Sequence, residues 1–222
     1  MNKDTSSADA ARSSGEAARA ASGSDLTHGD DASATAPRFA QLALDSMAPA
    51  QRALAEEILG FSSVGISGPY NALLRSPVLA RRMIDLLDYL RWNSSLPARL
   101  TELAILIQAR LWRSQVEWFA HHPLALKAGL APSVAADLKA NRRPAGMQAD
   151  EAAVYDYCME LTQGHAVSQA TFERTRDVLG GEQQLIDLTV LSGTYVTVAM
   201  ILATAEQGVP PGKVAPFAPG EA

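Results

Sequence analysis

The 222-residue sequence contains a single cysteine, Cys158, and only 6% aromatic residues. One cysteine cannot form an internal disulfide, and in the helix predicted around residues 155–159 it indicates packing more than a nucleophile. The four histidines lack the spacing to other ligands that a zinc site requires, so we predict no metal. No glycine-rich phosphate loop is present either, and we expect no cofactor.

Large basic segments and uninterrupted apolar runs are also missing. The net charge of -5 argues against nucleic acid as a partner. The longest apolar run, residues 185–203, is interrupted by Asp187 and by small or hydroxyl residues, so we predict a buried helix and no membrane partner. No apolar segment of a secretory signal follows the N-terminal charges, and we expect a cytoplasmic protein.

Composition divides the chain into a disordered tail over residues 1–37, one helical domain over residues 38–210, and a flexible C-terminal tail over residues 211–222. The first 37 residues contain only Met1 and Leu26 as large apolar residues, too few to offset the entropy lost on ordering. They carry six acidic and three basic residues, which leaves a net charge of only -2 for the rest of the chain. The 47% hydrophobic content is sufficient for a buried core.

Helical periodicity and capping residues predict an all-α fold of about six to eight helices. Residues 100–111 are apolar on nearly all sides, which is typical of a central helix. No segment shows the alternation of a half-buried strand. The other helices are predicted over residues 48–61, 77–92, 133–141, 150–162 and 168–180, with a last long helix from Glu182.

The segment 96–129 places Glu102, Glu117 and His121 among otherwise apolar residues. Glu117 and His121 are four residues apart, so they share one face of a helix. Glu102 lies fifteen residues before Glu117, roughly 22 Å along one straight helix, which is too far for contact. If the three side chains cooperate, the chain must bend, and we predict the bend at the polar segment 112–114. Alternatively, a glutamate in a first turn only complements the helix dipole.

The spacing of these residues resembles that of the carboxymuconolactone decarboxylase and alkylhydroperoxidase D family. The peroxidase branch of that family carries a glutamate and, twelve residues later, the motif Cys-x-x-Cys-x-x-x-His. Glu102 falls at the glutamate, Ser114 and Glu117 fall at the two cysteines, and His121 falls at the histidine. The likeness covers about residues 38–210, and further similar segments are 68–77, 96–106, 117–130 and 150–157.

The decarboxylase branch of this family keeps Glu, Glu and His at the positions of Glu102, Glu117 and His121. It also has a second histidine where this chain has Val116, and the family usually has an arginine where this chain has Thr101. The resemblance therefore implies an all-helical domain of this family that lacks the cysteine pair, assembles as a trimer or hexamer, and leaves the substrate unassigned.

The favoured hypothesis is a cofactor-free acid/base enzyme, a lyase such as a decarboxylase that acts on a small lactone or organic acid. In this scheme His121 exchanges a proton with the substrate carbon, Glu117 orients His121 or raises its basicity, and Glu102 relays protons or polarises the substrate. A buried pair of carboxyl groups would hold one protonated and one ionised.

Two other functions remain open. A thiol peroxidase is what the family suggests, but it needs a thiolate and a resolving cysteine, which Ser114 and Glu117 do not supply. A non-catalytic helical scaffold is the other alternative, and its support is the absence of the family histidine at Val116 and of the family arginine at Thr101. A Ser114 nucleophile activated by His121 is conceivable, although no oxyanion motif supports it.

The expected partners are a small-molecule substrate and further copies of the chain. Tyr70 and Asn71 follow a Gly-Pro turn and are candidates for substrate binding, with core packing of the tyrosine as the alternative. Trp112, Ser114 and Trp118 are candidates because they flank the proposed catalytic residues. A homo-oligomer is expected because the near-continuous apolar helices carry more apolar surface than one small domain can cover.

Overall fold

The computed structural model describes residues 36–62 and 65–218, and in these ranges it contains nine α-helices and no strand. The all-α class is therefore confirmed, and the described helices outnumber the predicted six to eight. Of the tail predicted over residues 1–37, all but the last two positions lie outside the described residues. The helices are α1 (Pro49–Phe61), α2 (Pro69–Leu73), α3 (Pro77–Asp88), α4 (Ala98–Leu111), α5 (Gln115–Lys127), α6 (Pro132–Lys139), α7 (Ala149–Gly164), α8 (Gln169–Leu179) and α9 (Glu182–Ala205).

α4 is the central helix that the sequence predicted. Every residue from Leu100 to Arg110 is buried, because α5, α6, α7 and α9 pack around it. Buried polar side chains on α4 have partners: Gln108 donates to the Thr162 hydroxyl at 3.0 Å, and Arg110 Nε donates to a backbone carbonyl of α6 at 3.0 Å. Such bonds avoid the cost of burying unpaired polar groups.

A tight turn after α4 reverses the chain at the predicted segment 112–114. Arg113 adopts a left-handed backbone conformation with φ of 49°, and Ser114 is extended immediately before α5. α5 consequently returns along α4 as the second arm of a helical hairpin. On one straight helix Glu102 would lie too far from Glu117 and His121 for contact. The reversal removes this separation, because it brings α5 back to the first turns of α4.

α9 is 24 residues long and joins the two apolar clusters of the domain. Leu188 and Leu191 pack with α4 and α7, whereas Val198 and Leu202 pack with α1, α2 and α3. By length and composition α9 could cross a membrane, but 56% of its apolar 18-residue window is buried inside the protein. Packing against the two clusters accounts for the apolar residues on the buried side of α9.

Two polar anchors hold the approach to α4. The buried carboxylate of Asp187 on α9 accepts hydrogen bonds from the Tyr89 hydroxyl at 3.1 Å and from the Ser95 hydroxyl at 2.9 Å. At the start of α4, Arg99 forms an ion pair with Asp150 of α7 at 2.6 Å. These contacts fix the segment between α3 and α4 against α9, and the first turn of α4 against α7.

Phe217 anchors the C-terminal segment to α5. Its side chain is 2% exposed, and its ring lies edge-on to Trp118 with 5.2 Å between ring centres. The Gln115 side chain donates to the Phe217 carbonyl and accepts from the Phe217 backbone N–H, each at 2.9 Å. The sequence predicted a flexible tail over residues 211–222 and did not foresee this anchor, because one aromatic residue among Pro, Ala and Gly carries no periodic signal.

Candidate active site

His121 and Glu102 form a buried hydrogen-bonded pair between α5 and α4. His121 Nδ1 lies 2.7 Å from a Glu102 carboxylate oxygen, and both side chains are only 9% exposed. When Nδ1 donates to this carboxylate, Nε2 is left without a proton and can accept one. A carboxylate behind a histidine orients the ring and stabilises the imidazolium that forms when Nε2 takes up a proton.

Glu117 is a second buried carboxyl group, one helical turn before His121. It is 3% exposed, and neither of its carboxyl oxygens has a hydrogen-bond partner among the described residues. Burial raises the pKa of Glu117 from 4.5 to about 8, and the nearby Ser114 hydroxyl offsets only part of that rise. Glu117 is therefore mostly protonated at neutral pH and can donate a proton.

Ser114 lies at the start of α5, and its buried hydroxyl also lacks a hydrogen-bond partner among the described residues. The Ser114 hydroxyl and both Glu117 carboxyl oxygens thus form a cluster of buried polar atoms that interact with one another and have no further hydrogen-bond partner among the described residues. Such groups are uncommon in native proteins and usually bind water or a ligand. Their clustering beside His121 marks this position as the candidate site.

Tyr195 on α9 covers the other side of His121. Its ring meets the imidazole edge-on, with 5.1 Å between ring centres and an interplanar angle of 90°. Burial raises the pKa of the Tyr195 hydroxyl, and Glu102 and Glu117 raise it further against the opposing charge of Arg91. The hydroxyl stays protonated and is available as a hydrogen-bond donor. Sequence reasoning missed Tyr195 because it lies in α9, far along the chain from α5.

The structure reassigns the partner of His121. The sequence paired His121 with Glu117, because the two are four residues apart on one helix. The helical hairpin instead places Glu102 of α4 against Nδ1 of His121, and Glu117 remains without a partner. Glu102, and not Glu117, is thus the hydrogen-bonded partner of His121, while the catalytic roles of the three residues stay predictions.

Two of the candidate substrate-binding residues have structural roles. Asn71 is buried, and its side chain accepts a hydrogen bond from Leu42 N–H at 3.1 Å, which holds the segment before α1. Trp118 stacks on His122 with 5.8 Å between ring centres and contacts Phe217, on the face of α5 next to the one that carries Glu117. Asn71 thus has a hydrogen-bonding role and Trp118 a packing role, and substrate binding by either residue stays a prediction.

The remaining substrate-binding candidates lie in different surroundings. Trp112 is exposed in the turn after α4. Tyr70 packs against the cluster formed by α1, α2 and α3, with its ring edge-on to Phe61 at 6.3 Å, and it also interacts electrostatically with Tyr195. Tyr70 therefore combines the packing role with a position next to the candidate site.

The residues of the site do not form a metal centre. Within residues 36–62 and 65–218, no group of three or more His, Cys, Asp or Glu side chains could hold a metal ion. Two grooves, one on α1 and one between α1 and α3, are not lined by the candidate-site residues Glu102, Ser114, Glu117, His121 and Tyr195.

No protein-family model and no curated protein matched the sequence. Two solved structures are similar to the chain. One is the alkylhydroperoxidase AhpD core of an uncharacterized peroxidase-related protein from Ralstonia eutropha JMP134, with a TM-score of 0.64, 16% identity, and coverage of 76% of this chain and 89% of that one. The other is an uncharacterized peroxidase-related protein from Silicibacter sp. TM1040, with a TM-score of 0.63, 14% identity, and coverage of 78% and 93%.

Identities of this size establish the fold and leave the reaction unassigned. The helical fold that the family resemblance implied is confirmed by both structures. The chain therefore has the fold of the alkylhydroperoxidase AhpD core.

Proposed function

We propose that this protein is a cofactor-free acid/base enzyme, a lyase of the decarboxylase type that acts on a small lactone or organic acid. The supporting observation is a hydrogen-bonded His121–Glu102 pair beside the buried, protonated carboxyl group of Glu117. The site thus combines a ring nitrogen that can accept a proton, His121 Nε2, with a carboxyl group that can donate one, Glu117. Environments that separate the two roles in this way are characteristic of acid/base enzymes.

In the proposed reaction, loss of carbon dioxide leaves an electron pair on the neighbouring carbon of the substrate. Glu117 supplies a proton to that carbon and becomes a carboxylate; His121, which takes up a proton from solvent at Nε2, then returns it to Glu117, so that one solvent proton is consumed for each carbon dioxide released. Glu102 stabilises the protonated imidazole, and the Tyr195 hydroxyl donates a hydrogen bond to the developing negative charge. The buried position of these groups strengthens each interaction because little water screens them.

A thiol peroxidase fits the site less well. Cys158 is the only thiol of the chain, and it is fully buried on α7. Burial raises the pKa of this thiol to about 12, so a nucleophilic thiolate is not formed near neutral pH. Ser114 and Glu117, at the positions where the family resemblance places the redox cysteines, carry no sulfur.

Solvent deuterium incorporation tests the proposal. Small carboxylic acids and lactones are incubated with the protein in deuterated water, and enzyme-dependent exchange or decarboxylation is followed by proton NMR. We expect turnover by the wild type and a loss of roughly 10²-fold or more in His121→Ala and in Glu117→Gln. The matched control is His122→Ala, which alters the half-buried histidine next in the chain and should retain full turnover.

Each contrary outcome has a defined meaning. Turnover that survives both His121→Ala and Glu117→Gln would place the active site elsewhere. Absence of turnover by the folded wild-type protein with all compounds would favour the non-catalytic scaffold.

We also propose that the protein is a cytoplasmic homo-oligomer, a trimer or hexamer. α9 exposes Ile186, Val190 and Met200 along one side of the helix, with Gly193 and Thr197 between them. An apolar and small-residue stripe of this kind is suited to packing against a second copy. Size-exclusion chromatography with light scattering tests the proposal, and a clean monomer at micromolar concentration would contradict it.

A further inference from the structure

Arg91 is a cation next to the candidate site, and the proposed proton transfers do not use it. Its Nε is buried and has no hydrogen-bond partner among the described residues. The guanidinium carbon lies 4.7 Å from the centre of the exposed Trp92 ring, which covers it on that side. A guanidinium has five N–H donors, and a buried donor without a protein partner is available to bind a ligand.

The segment that carries Arg91 is held rigidly. The helix predicted over residues 77–92 ends as α3 and continues as a π-helical turn, Tyr89–Asn93. Tyr89 before Arg91 and Ser95 after it both donate to Asp187 of α9. Short π-helical segments are frequent at functional sites. Arg91 is thus anchored against α9 on both sides along the chain.

Tyr70 and Tyr195 lie within electrostatic reach of the guanidinium. Burial raises the pKa of both hydroxyls, and the positive charge of Arg91 acts in the opposite direction on both. Tyr195 also lies edge-on to His121 at 5.1 Å. Tyr195, which contacts His121 and lies within electrostatic reach of Arg91, therefore links Arg91 to the proton-transfer groups.

The charges around the site explain what Arg91 is suited to bind. The Glu102 carboxylate lies inside the site behind His121, so an anionic group of the substrate is better placed at a cation away from that carboxylate. Arginine recognises a carboxylate through two parallel N–H···O bonds, which fix orientation as well as position.

We propose that Arg91 binds a carboxylate group of the substrate, with the Tyr70 and Tyr195 hydroxyls as further donors. This inference rests on the proposed function, because it names the substrate class of the same site as organic-acid anions. The anchor holds the anion between Trp92 and Tyr195, so that the rest of the molecule extends toward Glu117 and His121. Arg91 is then a specificity-determining residue.

Matched pairs of probes test this assignment without requiring turnover. Binding of benzoate and crotonate to the full-length protein is compared with binding of benzamide and crotonamide, their neutral isosteres, by ligand-observed NMR titration. We expect wild type to bind the carboxylates about tenfold or more tightly than the amides, the scale of one charge-assisted hydrogen bond. Arg91→Met should weaken carboxylate binding about tenfold or more and change amide binding less than about twofold.

Two further variants control the measurement. Arg82→Met makes the same substitution at an exposed arginine of α3 and should leave both kinds of probe unaffected. Arg91→Lys keeps the charge without the paired donors, and we expect an intermediate loss of carboxylate binding. If Arg91→Met melts at a much lower temperature than wild type, the carboxylate-binding role is tested with Arg91→Lys and with the amide titrations instead.

Unchanged carboxylate affinity in folded Arg91→Met, or no saturable carboxylate binding to wild type, would overturn the assignment. These outcomes are separable from failure of the proposed function. If His121→Ala and Glu117→Gln abolish deuterium incorporation while Arg91→Met binds carboxylates normally, the proposed reaction is supported and the carboxylate-binding role of Arg91 is contradicted. If Arg91→Met loses carboxylate binding while His121→Ala keeps full turnover, the carboxylate-binding role of Arg91 is supported and the proposed reaction is contradicted.

Discussion

Replacement of Glu117 by glutamine tests whether folding holds this carboxyl group in its protonated form. Burial raises the pKa of Glu117 from 4.5 to about 8. The folded protein therefore keeps a proton that the unfolded chain releases above about pH 4.5. As a result, wild-type stability falls as the pH rises from about 4.5 to about 8. Glutamine has nearly the same shape and does not titrate, so the variant avoids this loss.

The expected magnitude follows from the difference between the two pKa values. One proton is retained on folding, so each pH unit in this window lowers the free energy of unfolding by about 1.4 kcal/mol. The cumulative loss is about 3 kcal/mol at pH 7 and on the order of 5 kcal/mol above pH 8. Domains of this kind have a total stability of roughly 5–15 kcal/mol, so the effect is readily measured.

Urea unfolding of wild type and Glu117→Gln at about pH 5, 7 and 8.5 measures the difference. We expect the variant to be more stable than wild type by an amount that increases with pH. Glu56→Gln is the matched control, because it removes an exposed carboxylate from α1 and should show no such increase. A stability difference that stays constant with pH, or a Glu117→Gln protein less stable than wild type at pH 8.5, would refute the reasoning.

Three further predictions concern His121, the C-terminal anchor and the cysteine. Glu102→Gln should lower kcat by roughly 10²-fold in steady-state kinetics. The double variant with His121→Ala should be hardly worse than the worse single variant, because both changes disable the same proton transfer. Additive losses in the double variant would show that the two residues act independently. Phe217→Ala should destabilise the protein by about 3–5 kcal/mol through the cavity left beside Trp118; a loss below about 1 kcal/mol in urea unfolding would show that the segment is not part of the core. No thiol-dependent reduction of an alkyl hydroperoxide is expected, and peroxide consumption with a dithiol that Cys158→Ser abolishes would contradict the acid/base interpretation.

Several features could be predicted from the sequence because they depend on local patterns. The apolar residues of 100–111 indicated a central helix, since a helix that is apolar on all sides must be surrounded by others. The distance between Glu102 and Glu117 required a bend, and the polar segment 112–114 is where α4 ends and α5 begins. The family resemblance of this same stretch implied the fold that the two solved structures confirm.

Only the tertiary structure decided how these residues are used. Spacing along one helix favoured Glu117 as the partner of His121, whereas packing of α5 against α4 brought Glu102 to that position. The raised pKa of Glu117 follows from burial by neighbouring helices, which no local pattern encodes. Arg91 and Tyr195 come from segments about one hundred residues apart in the chain and come within electrostatic reach of each other because α9 packs against both α4 and the π-helical turn. Short-range periodicity is sufficient to form each helix. The candidate site combines side chains of α4, α5, α9 and the π-helical turn, so it depends on contacts between residues that are far apart in the chain.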